Sequence, residues 1–192
     1  MEALELEHRP YSKEEYFALL EQSLHKLEFL DGEVRMMSGG SIAHNRIIGN
    51  VFGTLWSQKG SCEVNNSENA VAIDHLNTYF FPDLTANCHK TEFEEGGIAK
   101  ITNPALIVEV LSESTAEYDR TDKFTAYRQL DSFREYILID SRRMRVDTFY
   151  RETKEFWHIR SYFTPDHEVV VRTLGLQLPM EVIYEGIEFV NK

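Results

Sequence analysis

Apolar positions along the chain recur at two spacings, and the switches between them mark the elements. Ser12, followed three residues on by Glu15, precedes the apolar set Tyr16, Phe17, Leu19 and Leu20. Serine and glutamate at that spacing cap each other's backbone amides, so a short helix is predicted from about residue 12, ending before Lys26. The runs 26–30 and 33–37 flank Asp31-Gly32. Asp-Gly supplies the positive φ values of a tight turn, and a hairpin follows. After the break at Ser38-Gly39-Gly40, the positions Ile47, Ile48, Val51, Phe52, Leu55 and Trp56 return at three- and four-residue steps. That spacing predicts an amphipathic helix over 41–57, closed by Lys59-Gly60.

Short β-rich runs come next, at 62–64, 70–73, 79–86 and 105–111, with 92–97 as an exposed loop between the last two. A helix is predicted over 115–130, with Ser114 or Thr115 as its cap and Phe124, Tyr127 and Leu130 on one side. Strands resume at 135–140, 145–150, 156–162 and 169–172, with 141–144 as a basic turn. No internal repeat or low-complexity linker interrupts this alternation, which is that of an α/β protein.

Length and composition narrow the picture. A chain of 192 residues with 42% apolar content can bury one sizeable core, so a single domain over 1–192 is expected. No apolar run approaches the roughly 20 residues of a membrane helix, and residues 1–10 are acidic where a signal peptide is basic and then apolar. A cytoplasmic protein is expected. Cys62 and Cys88 lack a histidine partner at finger-like spacing, so neither a zinc site nor a disulfide framework is read, and two reduced thiols in a core are expected. The net charge of -12 argues against coating nucleic acid by bulk electrostatics. One basic stretch stands out locally: Arg120, Lys123, Arg128, Arg134, Arg142, Arg143 and Arg145, a candidate basic face or simply a solvated helix and turn.

Two carboxylates fall where charge is costly. Asp83 follows Pro82 inside the apolar run 79–84, and Glu109 interrupts Leu106, Ile107, Val108, Val110 and Leu111. On neighbouring core strands they would repel each other unless a hard divalent cation lay between them. Either acid alone reads equally as a strand-end carboxylate bonded to backbone or arginine. Beyond Glu109, the residues Asp119, Lys123 and Tyr127 are spaced by four, so they share a helical face that can point back at the sheet. A lysine held there can position a nucleophile or offset developing charge on a phosphate.

Taken in order, Leu27-Glu28-Phe29-Leu30-Asp31-Gly32-Glu33, Pro82-Asp83, Glu109-Val110-Leu111-Ser112, and Asp119 to Lys123 with Tyr127 resemble the Uma-two family of restriction endonucleases, over residues 11–178. That family belongs to the PD-(D/E)XK nuclease superfamily. The resemblance implies a restriction-endonuclease-like mixed β-sheet flanked by helices. It implies that Asp83, Glu109 and the Val110 carbonyl hold magnesium or manganese, with DNA as substrate and a homodimer to address both strands. The superfamily's usual lysine position is Leu111 here; the family's variant supplies the lysine from the next helix, as Lys123. Glu28 matches the superfamily's N-terminal acid, and His44 with Asn45 matches a histidine at the start of the second helix. Asp74 and His75 read as turn residues without a role. Three other classes stay open at this point: a nucleic-acid-binding protein of the same fold without turnover, a hydrolase of small nucleotides, and an interaction protein whose acids are salt-bridged to Arg120 or Arg128.

Overall fold

The computed structural model describes residues 6–37, 39–94 and 98–189. The first residues of the acidic N-terminus, Ser38 of the break and the end of the 92–97 loop lie outside them. α1 (Lys13–Gln22) carries the predicted reciprocal cap: Ser12 Oγ accepts the Glu15 amide at 3.2 Å and Glu15 Oε2 accepts the Ser12 amide at 2.8 Å. It buries Tyr16 and Leu20 against β1 (Leu27–Leu30), where the Tyr16 hydroxyl donates to the Leu27 carbonyl at 2.8 Å. β1 turns into β2 (Glu33–Met36) through Asp31 and Gly32, at φ of 45° and 95°. This two-residue turn sets the hairpin register, with Glu28 opposite Arg35. α2 (Ile42–Gln58) is capped by Ser41 and buries Ile47, Val51 and Leu55. Its apolar stripe is narrower than its sequence suggests, since Trp56 is exposed.

The strands that follow are β3 (Glu63–Asn66), β4 (Ala70–Ile73), β5 (Thr78–Phe80), β6 (Leu84–Asn87), β7 (Phe93–Glu94), β8 (Lys100–Ile101) and β9 (Leu106–Leu111). A composite helix comes next: α3 (Ala116–Tyr118), a π-helical turn (Asp119–Lys123) and α4 (Phe124–Tyr127). The chain ends with β10 (Glu135–Asp140), β11 (Val146–Arg151), β12 (Trp157–Tyr162), β13 (Glu168–Val171), β14 (Leu176–Pro179) and α5 (Met180–Ile183). One sheet has the order β2-β1-β5-β4-β8-β7 and the other β12-β11-β10-β9-β6-β3, while β13 and β14 form a separate hairpin. Both large sheets are mixed, with β9 parallel to β10 and β4 parallel to β8.

Four expectations are corrected. The run 79–86 is not one strand: β5 belongs to the first sheet and β6 to the second, and Phe81, Pro82 and Asp83 carry the chain across. Proline has no amide to give a ladder, so the pairing breaks there. The loop at 92–97 begins with β7, which pairs with β8; neither strand is visible as a two-residue pattern. The helix expected to reach residue 130 stops at Tyr127, and Thr115 makes no side-chain cap. Cys62 and Cys88 are not reduced thiols but a disulfide, because antiparallel pairing of Glu63 with Asn87 brings their outer neighbours opposite each other at a Cα separation of 4.0 Å.

β9 is central and buried along its whole length, which is why it reads as an almost unbroken apolar run. On one face Leu106, Val108 and Val110 pack with α2, β13, β14 and α5; on the other Ile107 and Leu111 pack with Tyr118, Ala126 and Tyr127 of the composite helix. Glu109 shares the face of Ile107 and Leu111, so the helix lies over it.

Candidate active site

The chain crossing between the two sheets leaves a cleft of about 390 Å³, bordered by β1, β2, the start of α2, the end of β9 and the composite helix. Asp83 enters it from the crossing and Glu109 from β9. They are laced together by backbone: the Asp83 amide donates to Glu109 Oε2 at 3.3 Å, and the Val110 amide donates to Asp83 Oδ2 at 2.7 Å. The opposite oxygen of Glu109 accepts from Lys123 Nζ at 3.1 Å and from the Tyr127 hydroxyl at 3.2 Å. Glu28 comes from β1; its Oε1 lies 2.9 Å from Lys123 Nζ and accepts the Phe81 amide at 3.1 Å. Asp119 Oδ1 completes the set at 3.3 Å from the same ammonium.

The face spaced by four is therefore turned inward, and a single lysine is held among three carboxylates. Lys123 and Asp119 sit in the π-helical turn, a rare form that is frequent at functional sites. Glu28, Glu109, Asp119 and Lys123 are all buried, as is Asp83. Burial lowers the Lys123 pKa, but Glu109, Glu28 and Asp119 outweigh it and hold it well above the usual lysine value. Burial raises Glu109 well above the ordinary carboxylate range, with Lys123 opposing and the other three acids adding to the rise. Glu28 is raised by burial too, against the pull of Lys123.

His44 lines the mouth. Its Nε2 lies 3.5 Å from Asp83 Oδ2. Burial lowers its pKa, but the Asp83 contact prevails and raises it above 6.5. The amide of His44 donates to Ser41 Oγ at 3.1 Å, so Ser41 and not His44 caps the helix, and the His44 side chain lines the cleft. Asn45 lies 3.4 Å from His44 Nδ1 and reaches the Gly40 carbonyl at 3.3 Å. Asp74 and His75 fall in a 3-10 turn (Asp74–Leu76), away from the cleft lining.

Sequence reasoning missed several lining residues. Arg35 borders the cleft from β2, its guanidinium 4.1 Å from the centre of the Tyr118 ring. The Asp31-Gly32 turn held the signal, because its register puts Arg35 opposite Glu28. Ser112, Ser114 and Thr115 form a hydroxyl-rich wall after β9, joined through Ser112 Oγ. The basic stretch is also redistributed: Lys123 is in the cleft, and Arg128 stacks on Phe124.

The arrangement defines a class first. A solved structure from Anabaena variabilis, described as a "putative nuclease belonging to DUF820", superposes with a TM-score of 0.72 at 17% identity, covering 91% of this chain and 98% of that one. The fold is thus a mixed α/β, nuclease-like one. The chain belongs to the Uma2 (Uma-two) family, described as "Putative restriction endonuclease", whose sequence profile matches residues 13–181. It is 33% identical over 181 residues to an uncharacterized protein of Synechocystis, with 93% of each chain covered. A second uncharacterized Synechocystis protein is 32% identical over 157 residues, covering 81% of this chain and 89% of that one. Family membership supports a nuclease function in general. Among the described residues, no helix is long and apolar enough to cross a membrane.

Proposed function

We propose that this protein is a magnesium- or manganese-dependent endonuclease that hydrolyses phosphodiester bonds of DNA in the cleft around Asp83 and Glu109. The observation that carries this reading is the imbalance of the cleft, where three carboxylates surround one ammonium and a fourth, Asp83, is joined to Glu109 only through backbone amides. Buried acids in such excess favour a further cation, and every donor is a hard oxygen suited to magnesium or manganese. Among the described residues no three His, Cys, Asp or Glu side chains form a ready-made cage. The fit rests on two carboxylates, Asp83 and Glu109, with the Val110 carbonyl as the third donor. A bound ion would supply Lewis acidity toward a phosphoryl oxygen and lower the pKa of water.

The chain's own residues take the other parts. Lys123 stays protonated among its acids, so it serves as a fixed charge that orients the attacking water and offsets negative charge growing at phosphorus, not as a base. Glu28 and Asp119 position that ammonium by their contacts of 2.9 and 3.3 Å. Tyr127 fixes the Glu109 carboxylate through its hydroxyl. A homodimer would address both strands of a duplex, and light scattering on the eluted protein would read a mass of two chains.

The saturation of Lys123 by acids favours one second reading, a DNA-binding protein of this fold without turnover. One experiment separates the two. Manganese is titrated calorimetrically into the wild type, Asp83→Ala and Glu109→Ala, each checked for folding, and plasmid nicking is followed on the same samples. Binding and nicking in the wild type, both lost in the variants, support the nuclease. DNA binding without metal-dependent nicking supports the second reading.

A further inference from the structure

Beyond the cleft, the same end of the sheet carries a second charged arrangement, built with the opposite balance. Asp140 closes β10 and is buried, yet it accepts from two arginines of the following turn: Arg142 Nε at 3.1 Å and Arg143 Nε at 3.0 Å. Asp147 on β11 is likewise buried and holds Arg120 Nη1 at 2.9 Å and Arg145 Nε at 3.0 Å. Among the described residues no other carboxylate pairs with these four guanidiniums. Each is fastened by one edge and keeps donors free, and the Arg142 and Arg143 side chains remain 46% and 63% exposed. Four arginines against two aspartates leave a local positive excess in a chain whose net charge is -12.

The register locates this strip relative to the cleft. Glu109 pairs with Leu138, Leu138 with Asp147 and Asp147 with Ser161, so all four lie in one row on one face of the sheet. Two strand spacings of ~4.8 Å separate Asp147 from Glu109, about 10 Å, which is about three nucleotide rises of ~3.4 Å. Asp140 pairs with Leu111, and Ser141 Oγ donates to the Leu111 carbonyl at 2.7 Å. The arginine turn is thereby clamped to the residue that precedes Ser112 on the cleft wall.

Resting on the nuclease reading, we propose that Arg120, Arg142, Arg143 and Arg145, pre-oriented on Asp140 and Asp147, form a phosphate-binding track that holds the nucleic-acid backbone beside the scissile bond. Arginine forks fit phosphate oxygens in two-point contacts, and a carboxylate that fixes one edge reduces the rotamer freedom lost on binding. A strip of this kind lets an acidic protein bind a polyanion locally, by aiming a few charges rather than by its net charge. Phosphate contacts of this kind fix register and orientation without reading sequence.

The test is anisotropy of a labelled DNA oligonucleotide with calcium in place of magnesium, over a series of salt concentrations, for the wild type, Arg142→Ala/Arg143→Ala and the single Arg143→Ala. The slope of log affinity against log salt is expected to fall by about two in the double variant and about one in the single, at about one per lost phosphate contact. Manganese titration should be unchanged in both. The single variant leaves Arg142 on Asp140 and so keeps the test valid where the double one fails to fold. A slope equal to the wild type's in Arg143→Ala overturns the track while leaving the nuclease reading intact. A wild type that binds manganese but no oligonucleotide at low salt overturns both.

Discussion

The cleft between the two sheets and the arginine turn at one end of the second are built from the same kinds of charged group, and they differ in proportion. In the cleft, Glu28, Glu109 and Asp119 converge on Lys123 alone, and all four are buried. In the turn, one buried aspartate serves two arginines whose outer edges reach water. The first arrangement has an unmet need for positive charge, and the second has positive charge to spare. The pKa directions follow the same division. Burial raises Glu109 and Glu28 because one ammonium offsets too little of it, whereas Asp140 and Asp147, although burial also opposes their charge, are held below the ordinary value, Asp140 by the Arg142 amide and the Arg142 and Arg143 guanidiniums, Asp147 by the Ser161 hydroxyl and then Arg120 and Arg145. The difference teaches that a buried acid is read by the hydrogen-bond donors and cations set against it, not by its burial alone.

The largest expected effect breaks the cleft side of this contrast. Lys123→Ala leaves three buried carboxylates facing one another, and a loss of about 3 kcal/mol or more at neutral pH is expected in urea unfolding, as for other buried charges stripped of a partner. Nicking should be lost with it, and manganese should restore part of the stability by taking over the neutralising role. A loss under about 1 kcal/mol would mean that the cluster is not held by its lysine. Asp147→Asn tests the other side. Its arginines are part-exposed and can turn to water, so the expected cost is smaller, about 1–2 kcal/mol, and manganese binding should not change.

Smallest and most diagnostic is the pH dependence. Glu28 and Glu109 have native pKa values raised above 4.5, so their contribution to stability is full below about that pH and fades as pH rises through the native values. Asp140 and Asp147 lie below 3.8, so theirs is present above that pH and is lost as it falls through the native values. The melting temperature should therefore rise on acidification from neutral toward pH 4.5 and fall below 3.8. Glu109→Gln should flatten the first limb and Asp147→Asn the second. Two limbs that respond to neither substitution would remove the charge account of both regions.

What the sequence determined by itself was whatever depends on near neighbours. The Ser12 and Glu15 cap, the Asp31-Gly32 turn and the period of α2 are local relations, and each appears at its expected place. The anomalous acids Asp83 and Glu109 and the common face of Asp119, Lys123 and Tyr127 were legible for the same reason. A charge inside an apolar run and a repeat of four are patterns in one short segment. The tertiary structure decided what depends on pairing between distant segments. Only the crossing at Pro82 sends β5 and β6 to different sheets and opens the cleft between them. Only the pairing of β3 with β6 brings Cys62 to Cys88. Asp147 lay beyond the basic stretch, and nothing local marked it as the partner of Arg120, which reaches it from another element. Long-range contacts of this kind are chosen by the burial of whole faces, and no single residue carries that information.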